Sequence, residues 1–206
     1  MINFNSFNFS CIQPTVRPLT ARDSFAYRTL RKEIIDIGEG KYFNTSYTRE
    51  NGLTEKQWMD WCTETRDHCI FGTFLGDDLI GVMMVTRFGS PEDLTAEWEA
   101  TWLNPNYREC GIAKLSYHKV QAWTKKHGYN YAKVFIREDN SRSRLIREKQ
   151  GFVYIKTIPN EMWADGSIAA EHVFIKDLSR DNSFAQIPSI SPFFLEDIRE
   201  PLRSLA

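Results

Sequence analysis

The spacing of apolar and polar residues predicts two helices near the start of the chain. Residues 24–38, "SFAYRTLRKEIIDIG", place apolar side chains at helical spacing and end on a glycine; these side chains are Phe25, Leu30, Ile34 and Ile35. In residues 54–61, Thr54 is followed three positions later by Gln57 and then by two tryptophans. This spacing is typical of a capping box at the start of a helix.

Strand patterns dominate the middle of the chain. Residues 69–88 form two β-rich runs around Gly76-Asp77-Asp78, which predicts a hairpin. Residues 95–103, "TAEWEATWL", alternate polar and apolar side chains. This alternation predicts a strand with one polar face, formed by Glu97, Glu99 and Thr101.

The remaining pattern alternates helices and strands. It predicts a helix over 111–128, a strand over 131–136, a helix over 140–151 capped by Asn140 or Ser141, and antiparallel strands over 152–158 and 171–178 joined by a turn-rich segment, 160–167. The first of these helices has an apolar stripe of Ile112, Leu115, Val120 and Trp123. The order of elements indicates an α/β fold with a mixed sheet and right-handed strand–helix crossovers.

Composition and charge narrow the class of protein. The formal net charge of the 206 residues is −1, which gives no general attraction to nucleic acid or an acidic membrane. Residues 1–14 lack the basic start of a signal peptide, and "VMMV" is the longest apolar run. No zinc-ligand spacing connects the four cysteines, Cys11, Cys62, Cys69 and Cys110. We therefore expect a cytoplasmic protein without a metal site, a membrane segment or a nucleic acid partner.

The segment "RECGIA", residues 108–113, has the form Arg-x-x-Gly-x-Ala at a strand-to-helix transition. A helix N-terminus presents unpaired N–H groups and partial positive charge, and Gly111 permits a close approach of ligand to backbone. Arg108 adds a charge suited to phosphate. The segment therefore suits a pyrophosphate, although an ordinary turn with a tight glycine has the same sequence. It matches neither the nucleotide P-loop nor the dinucleotide fingerprint.

The ordered set "TWLNP", "RECGIA", "VFIREDN" and "REKQGF" resembles the GCN5-related N-acetyltransferase (GNAT) superfamily. The resemblance spans residues 15–178, so that 1–14 and 179–206 become N-terminal and C-terminal extensions. It implies a mixed, mostly antiparallel central sheet flanked by helices. It also implies acetyl-CoA as co-substrate, with transfer by direct attack of an amine in a ternary complex.

The resemblance also implies which residues bind the co-substrate. Arg108 and the backbone of Cys110, Gly111, Ile112 and Ala113 correspond to the pyrophosphate loop, and Asn140 to a residue that contacts acetyl-CoA. A bulge-like strand end around Trp102 and Leu103 corresponds to the place where backbone amides meet the pantetheine and polarise the thioester carbonyl.

For the general base, we expect Glu97 or Glu99, because both lie on the face of the strand that feeds the site. The alternative is that they are solvated or pair with Arg or Lys across the sheet. The family's other common base position is Phe135 here and cannot serve.

For the general acid, the family's usual tyrosine position is occupied by Arg147, whose guanidinium does not release its proton. Arg147 could stabilise a thiolate by charge, but we expect a solvated helix residue. Tyr154 and Tyr131 are close in sequence, and Tyr154 is included among the candidate catalytic residues, but the general acid is not assigned.

Two loop residues depart from the family pattern. Glu109 would repel phosphate unless it points into solvent, which an exposed turn allows. Cys110 has no recognisable base or triad partner, so no covalent role is predicted.

The function predicted is an acyl-CoA-dependent N-acyltransferase, with acetyl-CoA as donor and a primary amine of a small molecule or peptide as acceptor. The alternative is a catalytically inactive CoA-binding regulatory or interaction domain. Transfer of a longer acyl chain and a homodimer both stay open. Acceptor specificity is assigned to residues 38–55 and to the tail from 180 onward.

Overall fold

The computed structural model describes residues 13–43 and 45–179. The predicted extensions, 1–14 and 179–206, lie almost entirely outside these ranges. The strands are β1 (Thr15–Pro18), β2 (His68–Leu75), β3 (Asp78–Phe88), β4 (Thr95–Leu103), β5 (Tyr131–Arg137), β6 (Val153–Met162) and β7 (Ile168–Asp177). The helices are α1 (Ser24–Asp36), α2 (Tyr47–Asn51), α3 (Glu55–Trp61), α4 (Ile112–Lys126) and α5 (Ser141–Lys149).

The seven strands form one sheet in the order β1-β2-β3-β4-β5-β7-β6. All neighbours are antiparallel except β4 and β5, which run parallel. The predicted mixed, mostly antiparallel sheet is therefore confirmed. The β4–β5 ladder covers only residues 95–97 of β4 and 131–133 of β5. Beyond this ladder the two strands diverge, and we call the space between 98–103 and 134–137 the β4–β5 gap.

Helices cover both faces of the sheet and divide the core into two clusters. On the α4 face, β-strand residues such as Trp98, Val134 and Phe174 pack with Tyr117 and Val120 of α4. On the α1 face, the buried set from α1, α3 and the strands includes Leu30, Ile34, Trp58, Ile70 and Trp102. Burial of this apolar surface is the main favourable contribution to folding.

Two side chains predicted to be apolar contacts of helices are exposed instead. Phe25 on α1 is 80% exposed, and Leu115 on α4 is 43% exposed. Because each helical residue turns by about 100°, Tyr27 and Tyr117 occupy the inward positions that the predictions gave to these residues. The spacing located both helices correctly and their buried faces in part, since Leu30, Ile34, Val120 and Trp123 are buried as predicted.

Local signals at the helix ends are confirmed. Thr54 and Gln57 form the expected capping box, and the side chain of Asn140 accepts a hydrogen bond from the Ser143 amide at the start of α5. The last hairpin differs from the prediction, because β6 continues to Met162. Asn160 takes a left-handed φ of 59° where the β6–β7 register shifts, so the strand resumes beyond the irregularity.

Candidate active site

A bulge in β4 determines which side chains face the β4–β5 gap. Glu99 pairs with Met84 and Trp102 with Val82, so two residues of β4 oppose one residue of β3. Within the bulge, Ala100 has a left-handed φ of 46°. The bulge-like feature predicted around Trp102 and Leu103 therefore lies at Ala100 and Thr101, two residues earlier.

The bulge also reverses the alternation of side chains along β4. Glu97 and Glu99 lie on the α1 face, since their ladder partners there include Thr86 and Met84 of β3. Thr101 was predicted on the same polar face, but after the bulge it points to the α4 face and contacts Arg147 of α5. One extra residue thus moves Thr101 across the sheet.

The N-terminus of α4 is open where the anion-binding motif was predicted. Gly111 is the N-cap residue with a φ of 79°, and among the described residues no atom beyond Gly111 and its chain neighbours lies within 4 Å of the position that a Cβ would occupy. The amides of Ile112 and Ala113 in the first turn have no intrahelical acceptor. The geometry therefore offers N–H groups and free space to a ligand.

The neighbouring loop residues leave this position unobstructed. The Glu109 side chain is 88% exposed, and its carboxylate lies 3.6 Å from Arg142 of α5. Its charge is therefore held in solvent beside a cation, as the exposed turn allowed. The Cys110 thiol donates to the Arg108 carbonyl at 3.4 Å.

Arg108 is bound within the protein. Its guanidinium donates two hydrogen bonds to Glu39, at 2.9 and 2.6 Å, and one to the Leu103 carbonyl at 2.7 Å. The Trp102 indole also donates to Glu39, at 2.6 Å. The guanidinium holds the pKa of Glu39 below its usual value. Arg108 as a phosphate ligand stays a prediction, and the observed contacts fasten the loop to the segment after α1.

That segment, residues 39–41, spans the ends of β4 and β5. Glu39 binds the loop after β4, while Lys41 donates to Asp139 in the loop after β5, at 2.8 Å. Asp139 immediately precedes Asn140, the predicted co-substrate contact. The segment therefore connects the loop after β4 to the loop after β5.

The two candidate bases have different surroundings. The Thr86 hydroxyl donates to the Glu99 carboxylate at 2.7 Å. Glu97 lies opposite Lys133 in the last pair of the β4–β5 ladder. Burial lowers the pKa of Lys133 to about 8, and the charge of Glu97 opposes this shift. The position of Glu97 opposite Lys133 therefore matches the alternative to catalysis, in which the glutamate pairs with Arg or Lys across the sheet. Glu99 instead lies beside the gap.

Arg147 is buried, so the prediction of a solvated helix residue is wrong. Its exposed fraction is 4%, and it donates to Thr101 Oγ1 at 2.7 Å and to Gln150 Oε1 at 3.0 Å. Burial lowers its pKa to about 10, which leaves the guanidinium charged at neutral pH. No apolar stripe on α5 indicates this burial in the sequence.

Tyr154 lies far from the other candidate catalytic residues, Glu97 and Glu99. It lies on the edge strand β6, three strand positions from β4, or roughly 14 Å at the usual strand spacing. The side chain is 50% exposed, and its hydroxyl is 2.8 Å from Thr157 Oγ1. It shares the α4 face with Phe174. We therefore remove Tyr154 from the candidate catalytic set.

Within 13–43 and 45–179, no group of three or more His, Cys, Asp or Glu side chains is arranged to hold a metal ion. In the same ranges, no helix is both long and apolar enough to cross a membrane.

Comparisons with known proteins assign the family. The model described as "Acetyltransferase (GNAT) family" matches residues 32–152, more than half of the chain. The chain therefore belongs to the GNAT acetyltransferase family. A search of curated proteins found no match.

Solved structures show the same fold. An acetyltransferase of the GNAT family from Streptococcus pneumoniae has a TM-score of 0.67 and 12% identity, covering 80% of this chain and 99% of that chain. An N-acetyltransferase from Staphylococcus aureus Mu50 has a TM-score of 0.67 and 19% identity, covering 81% and 99%. The PaiA N-acetyltransferase from Thermoplasma acidophilum, in complex with coenzyme A, has a TM-score of 0.61 and 16% identity, covering 80% and 99%.

Proposed function

We propose that this chain is a cytoplasmic N-acetyltransferase that transfers an acetyl group from acetyl-CoA to a primary amine of a small molecule or peptide. The observation that carries the proposal is the β4–β5 gap lying beside the open N-terminus of α4. The gap leaves one backbone edge of β4 available, and the helix end offers N–H groups to an anion. Family membership supports the acetyltransferase class.

The residues around the gap fit the parts of an acyl-CoA. We propose that the amides of residues 111–113 bind the pyrophosphate, with Cys110 lining the loop and Arg108 bracing it through Glu39. Asn140, Trp102 and Leu103 lie at the ends of the two diverging strands and stay assigned to the co-substrate. The backbone of β4 at the bulge would align the pantetheine by strand-like hydrogen bonds.

The acceptor side is the α1 face. Glu99 lies there beside the gap, and Glu33 and Glu39 bind the end of β4 through Asn104 and Trp102. The charge of Glu39 is balanced by Arg108, so the Glu33 and Glu99 carboxylates are the ones that would attract a protonated amine. We propose that the amine enters between the N-terminal helices and the final hairpin.

The chain's own residues supply acid–base chemistry and positioning. An amine attacks only when neutral, so the Glu99 carboxylate takes its proton, directly or through water. The hydrogen bond from Thr86 fixes the orientation of that carboxylate. When bound, acetyl-CoA supplies an activated acyl group as a thioester. Binding both substrates in one complex makes the transfer direct.

Acceptor-dependent release of CoA tests the proposed function. Purified full-length protein is incubated with acetyl-CoA and a panel of small primary amines and peptides, and free thiol is followed with time. The proposal expects release that depends on an amine. Saturable binding of acetyl-CoA without release across the panel would instead support the alternative, an inactive CoA-binding domain.

A further inference from the structure

Arg147 is a buried cation that has no carboxylate partner among the described residues. The acceptors of its hydrogen bonds are neutral, Thr101 Oγ1 and Gln150 Oε1, and its guanidinium lies 5.6 Å from the Phe152 ring centroid. A second cation lies nearby, because Lys176 donates to the Tyr117 hydroxyl at 2.7 Å and that hydroxyl donates to the Gln150 carbonyl at 3.2 Å. Burying a charge without a counter-charge costs free energy.

Other buried arginines of the described chain are compensated. Arg31 donates to Glu50 at 2.9 and 2.6 Å, and Arg137 lies 3.1 Å from both Asp139 and Asp165. Arg147 is equally inaccessible but lacks such an anion. The simplest physical account is that its anion is a ligand.

The position of Arg147 places its charge beside the β4–β5 gap. The side chain reaches from α5 to Thr101, the first residue after the left-handed Ala100 in the bulge. Thr101 is exposed, so a ligand in the β4–β5 gap can reach this pair. The pyrophosphate position at the α4 N-terminus is a separate part of the site.

We propose that Arg147 stabilises the CoA thiolate as it leaves, replacing proton donation by a tyrosine. This inference rests on the proposed function. The amine nitrogen forms a bond to the acyl carbon, the carbon–sulfur bond breaks, and the electron pair stays on sulfur as a thiolate. The amine proton goes to Glu99 or water, and the guanidinium keeps its own proton. A thiol pKa of about 8.5 makes departure as thiolate feasible near neutral pH.

The test compares binding of CoA with binding of desulfo-CoA, in which hydrogen replaces the thiol, by calorimetry between about pH 6 and about pH 9, around the ordinary thiol pKa. If the protein prefers the thiolate, the pKa of the bound thiol falls below that of the free thiol. CoA then binds more tightly as pH rises through this window, whereas desulfo-CoA does not share the increase. We expect a relative gain of at least about tenfold, or one unit of thiol pKa.

The comparison isolates the thiol from other groups that titrate near it. Tyr117 on α4 and Lys176 on β7 face the same region, and burial raises the pKa of Tyr117 to about 12 and lowers that of Lys176. Glu97, Glu99 and Lys133 lie on the opposite face of the sheet. Both ligands experience these groups, so their effects cancel in the ratio of affinities.

Variants assign the effect to Arg147. Arg147→Gln should abolish the relative gain, Arg147→Lys should retain part of it, and Arg144→Gln, an exposed arginine of the same helix, should retain all of it. If Arg147→Gln does not fold, the proposal is tested by the pH dependence of the CoA to desulfo-CoA affinity ratio in the wild type and in Arg147→Lys. Equal pH dependence of the two ligands in wild type would overturn the proposal while leaving the proposed function intact. Failure of both ligands to bind would overturn both.

Discussion

The two faces of the sheet beside the β4–β5 gap differ in how cations are compensated. On the α1 face, Arg31 and Arg108 bind Glu50 and Glu39. On the α4 face, Arg147 contacts neutral groups alone among the described residues. The α1 face also carries Glu33 and Glu99, which accept hydrogen bonds from the neutral donors Asn104 and Thr86 and suit a cationic amine, whereas a cation without a counter-charge suits an anion. Under the proposed function, the acceptor amine would approach from the α1 face and the CoA thiolate would lie toward the α4 face.

The largest expected contrast concerns stability. Glu50→Gln leaves Arg31 buried without its partner and should lower the free energy of unfolding by about 3–5 kcal/mol. Arg147→Met removes a buried charge that has no counter-charge and should change it by less than about 1 kcal/mol or raise it. Urea denaturation measures both. An equal loss of unfolding free energy in the two variants would contradict the proposed difference in charge compensation between the two faces.

The next effect concerns catalysis on the α1 face. Glu99→Gln should reduce kcat by about 10²-fold or more, because a positioned general base contributes at least that much. Glu97→Gln, the matched control two residues earlier in the same strand, should reduce it less than about tenfold, because Glu97 lies against Lys133. Thiol release with a saturating amine measures both. A larger loss of kcat in the Glu97 variant than in the Glu99 variant would identify Glu97 as the general base instead of Glu99.

A smaller effect concerns the anion site at α4. Gly111→Trp should weaken acetyl-CoA binding by at least about tenfold, roughly 1.4 kcal/mol, because the indole would fill the open space beside the first-turn amides. Gly128→Trp is the control, since Gly128 has a φ of 85°, equally open surroundings and a place at the other end of α4. Both variants are strained by the left-handed backbone. Equal weakening of acetyl-CoA binding in both variants would show that the loop of residues 108–113 is not part of the binding site.

The smallest effect concerns the contact between the loop and residues 39–41. Glu39→Gln should lower the free energy of unfolding by about 1 kcal/mol, a value reduced by partial exposure of the pair. Because Arg108 lowers the pKa of Glu39, the wild-type advantage is present above the ordinary glutamate pKa of about 4.3 and disappears as pH falls through the lowered value. Urea denaturation at pH values across this range measures it. A pH-independent difference would contradict the ion pair.

Much of the fold was predictable from sequence because it depends on local patterns. The capping box at Thr54, the hairpin at Gly76 and the Gly111 helix start each have a local chemical cause in the sequence. The order of elements then indicated the sheet. Such signals involve residues a few positions apart, where spacing is informative.

The features that were missed depend on contacts distant in sequence or on unusual backbone. The bulge depends on a left-handed Ala100, and alanine gives no signal for that conformation. Arg108 and Glu39 are 69 positions apart, so their contact follows only from the folded chain. Arg147 is the buried residue of α5, a helix whose other side chains carry no apolar stripe. The replacement of the family's usual tyrosine by Arg147 was visible in the sequence, but the burial of its side chain was not.

The most direct test of the central claim is a calorimetric titration of the wild-type protein with acetyl-CoA, with ATP as the comparison ligand. ATP carries an adenosine and phosphates but lacks the pantetheine that the β4–β5 gap is proposed to hold. We expect saturable binding of acetyl-CoA with a dissociation constant on the order of micromolar, about −8 kcal/mol, and no comparable binding of ATP. Absence of acetyl-CoA binding, or equal binding of both ligands, would contradict the assignment of the gap and the α4 N-terminus to an acyl-CoA.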